Sequence, residues 1–251
     1  MRVHVTGASG FLGTELLRLA PRATAERVDV RDAEALRALF LRLRPEAVIH
    51  TAYRQGGPGA TEITVAGAEN VARAARVVGA RLVHLSTDVV FDGRKGAPYV
   101  EEDEPCPVSE YGSAKAESER LVLAAHSSAL IVRTSLLVGG PGHEPSKHER
   151  AASDPAMTFF EDEIRCPTQV GDLAAALLEL VSLDLSGALH VAGPDRLSRA
   201  DLAELASGSR VSRATAPSGR PLDCSLDSSR SHAILRTRMR GAREVFQPAR
   251  A

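Results

Sequence analysis

The chain has 251 residues, 43% of them hydrophobic and 25% charged, with 31 basic side chains against 32 acidic ones. That balance offers no net field to recruit nucleic acid or an anionic membrane surface, and no apolar run reaches the ~18 residues of a membrane span. The opening stretch MRVHVTGASG lacks the apolar core of a signal peptide, so a cytoplasmic protein is expected. Three well-separated cysteines, Cys106, Cys166 and Cys224, argue against a disulfide framework and against a cysteine-rich zinc site.

In chain order, RVHV (2–5), RVDV (27–30), EAVIHT (46–51), RLVHLS (81–86) and ALIVRTS (129–135) read as buried strands. Between them, FLGTELLRLA, AEALRALFLRLR, AGAENVARAARVVG and YGSAKAESERLVLAA carry apolar residues at helical spacing. Strict alternation of the two predicts βαβ units: an α/β fold with a doubly wound, Rossmann-type parallel sheet and helices on both faces. Residues 136–168 read as a polar loop punctuated by glycine and proline, followed by a helix VGDLAAALLEL, a strand GALHVAG and a helix SRADLAELA capped by Ser198 with Asp201 in its first turn. SGSRVSRATAPSG (207–219) reads as a linker, and RTRMRGAR (236–243) as a solvated basic tail without the aromatic platform that would mark nucleic-acid binding. The expected division is a main α/β domain over 1–135 and a small lobe over 136–251, interleaved with the main sheet.

Gly7, Gly10 and Gly13 lie directly between the first strand and the first helix. Glycines there allow a tight turn, close approach of a pyrophosphate to the backbone, and close packing of helix on strand, while the helix N-terminus presents free amides. A structural turn is the alternative. Placement at the end of the first strand of a βαβ chain favours a dinucleotide.

Tyr111 and Lys115 stand four apart in SEYGSAKAESE, in a chain with only three tyrosines and three lysines. Chance gives such a Tyr-x-x-x-Lys at roughly four per cent, so an exposed helical pair competes with a proton donor and its charged partner. Reducing a ketone needs a hydride on carbon and a proton on oxygen. A free tyrosine, with pKa about 10, is a poor acid–base group near neutrality, and a lysine one helical turn away is expected to lower it. Thr87 ends the strand RLVHLST, where its hydroxyl could polarise a carbonyl or simply cap the strand. His143 and His148 stand five apart with Pro145 between them, so they do not share a helix face and no metal site is expected.

Taken in order, TGASGFLG, STDVVFDG and YGSAKAESE resemble an extended short-chain dehydrogenase/reductase. With VRTSLLVG, EDEIRCPTQVGDLA and RPLDCSLDSSRSHAIL added, the chain is similar over almost its whole length to the dTDP-4-dehydrorhamnose reductase family of nucleotide-sugar enzymes. The resemblance implies Thr87, Tyr111 and Lys115 as the catalytic set, with Lys115 also holding the nicotinamide ribose. It implies NADP or NAD bound by Gly7, Gly10, Phe11, Leu12 and Gly13 at the pyrophosphate, by Asp29 and Val30 beside the adenine, by Thr51, Ala52 and Tyr53, and by Tyr111 and Lys115. Thr87, Asp88 and Leu136 are the implied substrate contacts, the substrate being a nucleotide sugar or another small ketone. A homodimer is a candidate assembly.

The chain also departs from the family. Only PRATAE separates the first helix from RVDV, so the second strand of the fold is expected to be shortened or missing, and with it the residue that separates NAD from NADP. Thr64 stands where the family usually has asparagine, and Leu136 where its rhamnose enzymes carry tryptophan. Related dehydratases place Asp then Glu after the threonine; here Val89 follows Asp88, which favours carbonyl reduction over elimination of water. A non-catalytic cofactor-binding subunit, like the β subunit of methionine adenosyltransferase, and a nucleotide-sugar epimerase are the alternatives.

Overall fold

The computed structural model describes residues 1–247. Strand β1 (Val3–Thr6) leads into helix α1 (Phe11–Leu19), then α2 (Ala33–Leu43), β2 (Ala47–His50), α3 (Ala60–Thr64), α4 (Ala66–Val77), β3 (Arg81–Thr87), α5 (Glu110–Ala125) and β4 (Leu130–Thr134). Beyond β4 come the short strand β5 (Leu137–Val138), helix α6 (Lys147–Ala152) and strands β6 (Thr158–Phe160), β7 (Ile164–Arg165) and β8 (Thr168–Gln169). Helix α7 (Val170–Leu180), β9 (Gly187–His190), β10 (Leu197–Ser198), α8 (Arg199–Ser207), β11 (Ser212–Ala214), α9 (Ser229–Ile234) and α10 (Ala242–Phe246) complete the described chain.

The central sheet is wholly parallel, in the order β1-β2-β3-β4-β9. A parallel sheet needs cover on both faces, and successive residues of each strand serve opposite faces. Thus Ile49 packs with Leu12 and Leu16 of α1 and Leu173 and Leu177 of α7, while its neighbour Val48 packs with Leu36 and Phe40 of α2 and Val71 of α4.

Among the described residues, the outer edge of β1 carries no second strand. Thr24 makes a single bridge to His4, with Val5 N–H donating to Thr24 O and Thr24 N–H to Val3 O, both at 2.9 Å. The chain still passes from α1 on one face, around this edge, to α2 on the other, so the doubly wound path survives with its second strand reduced to one residue. RVDV, expected as a strand, is not one: Val30 is buried against α4, Arg27 and Asp29 are exposed, and among the described residues no strand pairs with the segment. Its alternating pattern reflects valines anchoring a loop.

Three further expectations are corrected. The polar stretch 136–168 holds α6, whose capping box has Ser146 Oγ accepting from Glu149 N–H and the Glu149 carboxylate accepting from Ser146 N–H. The linker 207–219 contains β11, paired in parallel with β6. The basic tail docks: Met239 is buried and Arg240 makes a bidentate pair with Asp172 at the start of α7. Among the described residues no helix is long and apolar enough to cross a membrane.

Candidate functional site

At the end of β1 the backbone turns at Gly7, where φ is +76°, and a Cβ there would lie 2.5 Å from Ala52 N and 2.7 Å from Thr51 Oγ1. A Cβ on Gly13 would lie 2.3 Å from Gly7 O, so two of the three glycines are dictated by contact and not by flexibility alone. Gly10 is the N-cap of α1 and offers no side-chain cap, and the first turn holds no acid. Side chains of Asp32, Ser109, Gln169 and Ser198 cap α2, α5, α7 and α8, whereas α3, α4, α9 and α10 are, like α1, without a side-chain cap; what sets α1 apart is the glycine turn before it. An uncapped helix start behind a tight glycine turn fits an anionic pyrophosphate. The turn and the helix start thus offer free backbone N–H groups to an anion at this end.

Beside it, β3 ends at Thr87 and runs into a short turn, Asp88–Val90. Helix α5 starts on that turn. Ser109 Oγ caps it by accepting from Gly112 N–H at 3.1 Å, and a Cβ on Gly112 would lie 2.2 Å from Val89 O, so glycine sets how near the helix can come. Tyr111 and Thr87 consequently line the same wall, with the Tyr53 ring 5.7 Å from the Tyr111 ring. Lys115 lies one turn along, buried, and donates from Nζ to Leu85 O at 2.6 Å with His84 Nε2 at 3.5 Å.

The electrostatics follow from burial. Desolvation lowers Lys115 to about 8, and it lowers His50 to about 3, so the stacked His50–His84 pair beside the lysine is uncharged. Tyr111 is pushed well above its ordinary value, chiefly by burial, with Tyr53 and Asp88 adding and Thr87 opposing. The expected lowering of Tyr111 by Lys115 is not found: burial dominates at Tyr111, and the Lys115 ammonium is turned to the Leu85 carbonyl. A protonated phenol is nonetheless the form a proton donor needs.

Tyr53, Thr87 and Tyr111 open onto a cavity of about 590 Å³ that Lys115 does not line and whose far wall comes from residues between Ser146 and Pro221. Lys147, Arg150, Arg165, Arg199 and Arg220 line it. Its carboxylates, Asp88 and Glu163, already face arginines: Arg165 Nε is 3.7 Å from Asp88, and Arg220 pairs with Glu163. His148, 3.3 Å from Arg199, is held uncharged by burial and by these cations, at about 3. The cleft is thus cationic beyond what its own acids neutralise, which suits a polyanionic ligand.

The sequence is that of a known family: the profile of the family described as the RmlD substrate binding domain matches residues 1–219. The chain belongs to the RmlD substrate-binding-domain family. This RmlD-family chain is 33% identical over 278 residues to dTDP-4-dehydrorhamnose reductase of Mycolicibacterium smegmatis, covering 99% of the chain and 84% of that enzyme. It is 29% identical over 238 residues to methionine adenosyltransferase 2 subunit beta of Rattus norvegicus, covering 80% of the chain and 70% of that subunit. The crystal structure of dTDP-4-dehydrorhamnose reductase from Bacillus anthracis in complex with NADP superposes with a TM-score of 0.84 at 26% identity, over 98% of this chain and 97% of that one.

In this RmlD-family chain the structure brings Gly7, Gly10, Gly13, Thr51 and Ala52 together at the mouth of β1 and β2, and Phe11, Tyr53, Thr87, Asp88, Tyr111 and Leu136 around the cavity. Leu12 is a core residue, free to contribute only its backbone, and Val30 is buried with its carbonyl accepting from Asn70 Nδ2 at 3.1 Å. Asp29 is exposed and paired with Arg31. Thr64 holds the loop after β2 from both sides, donating to Arg54 O at 3.1 Å and accepting from Arg54 N–H at 3.2 Å. Sequence reading missed Ser135, Lys147, Arg165, Arg199 and Arg220. The Ser146-x-x-Glu149 capping signal was available to mark the helix that carries Lys147; nothing local marks the arginines.

Proposed function

We propose that the chain is a cytoplasmic NAD(P)H-dependent reductase of a keto group on a nucleotide-activated sugar. The observation that carries this is the convergence of Thr87 and Tyr111 on one wall of a cationic cleft, with Lys115 a turn behind them and the glycine turn alongside. When bound, NAD(P)H supplies hydride to the carbonyl carbon. The chain supplies the rest. Tyr111, kept protonated by burial, gives its proton to the carbonyl oxygen as negative charge develops there, and the Thr87 hydroxyl polarises that oxygen. Lys115, released from Leu85 O, is the cation that stabilises the resulting phenolate. The lobe cations Lys147, Arg150, Arg199 and Arg220 suit the pyrophosphate of the sugar nucleotide. Tyr53 and Leu136 replace a tryptophan platform for the sugar.

The test is nicotinamide absorbance with a panel of dTDP-4-keto sugars, combined with cofactor titration by fluorescence. Tyr111→Phe is expected to lower kcat by about 10³-fold with a far smaller change in NADPH affinity. A normal kcat in that variant would exclude Tyr111 as the donor. A second reading, a cofactor-binding subunit without turnover, draws on Lys115 bound to Leu85 O and on the single-residue second strand. Cofactor binding with no oxidation on any keto sugar would support it. Sedimentation of the pure protein tests the homodimer.

A further inference from the structure

His148 lines the cavity beside Lys147 and Arg150 but belongs to neither the glycine turn nor the Thr87–Tyr111 wall. Its helix, α6, is fixed at both ends. The Glu149 carboxylate accepts the backbone N–H of Gly139 at 2.8 Å, of Gly140 at 2.9 Å and of Ser146 at 2.7 Å. Ala152, on the same helix face as His148, packs with Ala200 and Ala203 of α8. Side chains that small let the two helices approach closely. Arg199, at the start of α8, thereby reaches His148, with Nη2 3.3 Å from Nδ1.

That contact decides where the imidazole carries its proton. A guanidinium donates from every nitrogen and accepts at none, so Arg199 gives the hydrogen and Nδ1 receives it. An Nδ1–H tautomer or an imidazolium would set N–H against N–H. The ring is therefore neutral, with its one proton on Nε2. Among the described residues Nε2 has no protein partner, and it is not sealed away from solvent as His50 Nε2 is. In a side chain that lines the cavity, this leaves an N–H open to whatever enters.

We propose that His148 is a neutral hydrogen-bond donor, through Nε2–H, to a phosphate oxygen of the nucleotide sugar, with Arg199 fixing its tautomer. This rests on the reading of the substrate as a nucleotide sugar. Charge explains why a neutral donor belongs here. Arg199 of α8, Arg165 of β7 and Lys147 on its own helix face His148. Beyond Arg199 stand Arg220 and the carboxylates of Glu163 and Asp88. One more cation among these would add repulsion before any anion arrives, whereas the imidazole adds a hydrogen bond to an anion without adding charge. An ordinary histidine gains a proton as pH falls through about 6.5, but this one binds in the same form on both sides of that value.

Two amide replacements separate a donor from a prop. In His148→Asn a carbonyl can stand in for Nδ1 against Arg199 but nothing reaches the Nε2 position; in His148→Gln the longer amide can donate there. With dTDP titrated into the full chain by calorimetry, His148→Asn should bind about tenfold more weakly than wild type, and His148→Gln should recover most of that loss. The reverse order would make His148 a prop for Arg199 and overturn the proposal, as would equal loss in both. The ratio of the Asn variant's Kd to that of wild type should stay level from about pH 5.5 to about 7.5, because titration of the phosphate affects both proteins alike. A ratio that grows as pH falls would mean an imidazolium and would also overturn it. If wild type binds neither dTDP nor UDP, the nucleotide-sugar reading fails; if it binds dTDP and His148→Asn matches it, only the donor role fails. Should His148→Asn not fold, a long-range proton–nitrogen correlation spectrum of wild type reads the tautomer directly. Protonated Nε2 and bare Nδ1, with the Nε2–H resonance moving as dTDP is added, are expected; an Nδ1–H or doubly protonated ring, or an Nε2–H unmoved by dTDP, would overturn the proposal.

Discussion

At the β3–α5 corner, a methyl added to Gly112 would sit 2.2 Å from Val89 O, and Glu119 of the same helix is buried in a bidentate pair with Arg133 of β4. At the other end of the crevice, among the described residues β1 is bridged along its outer edge by Thr24 alone, and Asp29 pairs with Arg31 in solvent. Both ends serve one ligand on the proposed reading, yet only one is held rigidly. Hydride and proton transfer tolerate little displacement, since a shift of about 1 Å can cost ~10²-fold in rate. Holding an adenosine demands less. On that reading the fold keeps its buried polar clamps where bonds would be made and lets a whole strand go where a ligand would only rest.

The largest effect should come from breaking the clamp. Arg133 and Glu119 are 5% and 6% exposed, with Nη2–Oε2 at 2.8 Å and Ser86 Oγ donating to the same carboxylate. Glu119→Ala leaves the Arg133 guanidinium buried without its partner, a loss of about 3–5 kcal/mol read as a lower urea midpoint at constant slope. The matching truncation Glu26→Ala, whose pair with Arg42 is exposed, should leave the midpoint unchanged. Equal effects would erase the contrast between the two ends.

Lys115 sharpens the contrast from the opposite side, because the corner holds a charge that folding disfavours. Its folded pKa of about 8 lies below the ordinary 10.5, so the unfolded chain binds the extra proton between those values. Wild-type stability therefore rises as pH increases from about 8 to 10.5, and a penalty of about 3 kcal/mol is present at neutral pH. Lys115→Met should melt higher than wild type at neutral pH, lose that advantage by pH ~10.5, and lose turnover. A variant that melts lower at neutral pH would show that the contacts to Leu85 O and His84 outweigh desolvation.

Much of this corner was legible because its signals are local. The glycine turn, the Tyr111–Lys115 spacing and the Ser109 cap all lie within a few residues of what they control. RVDV misled because β-branched alternation marks buried valines as well as strands, and only a neighbouring strand would have distinguished them. Asp88 with Ser135 and Arg165 was illegible as a unit: each residue type is ordinary where it stands, and only the approach of β4 and β7 to the end of β3 makes them one site. The short strand β11 was hidden likewise, since its partner β6 lies far back in a segment read as loop.

The smallest expected effect tests the loose end directly. Arg31 holds the Asp29 carboxyl down to about 2, so Asp29 is ionised throughout the working pH range and any contribution to binding should not vary with pH there. Because the pair is exposed, Asp29→Ala should leave the melting temperature unchanged. If Asp29 meets the adenosine as the family resemblance implies, one hydrogen bond is lost, and NADPH affinity should fall by about fivefold with kcat intact. A fall of about a hundredfold, or a drop in kcat, would mean that the adenosine end positions the nicotinamide after all, and that the missing strand has been replaced by contacts as exacting as those at Gly112.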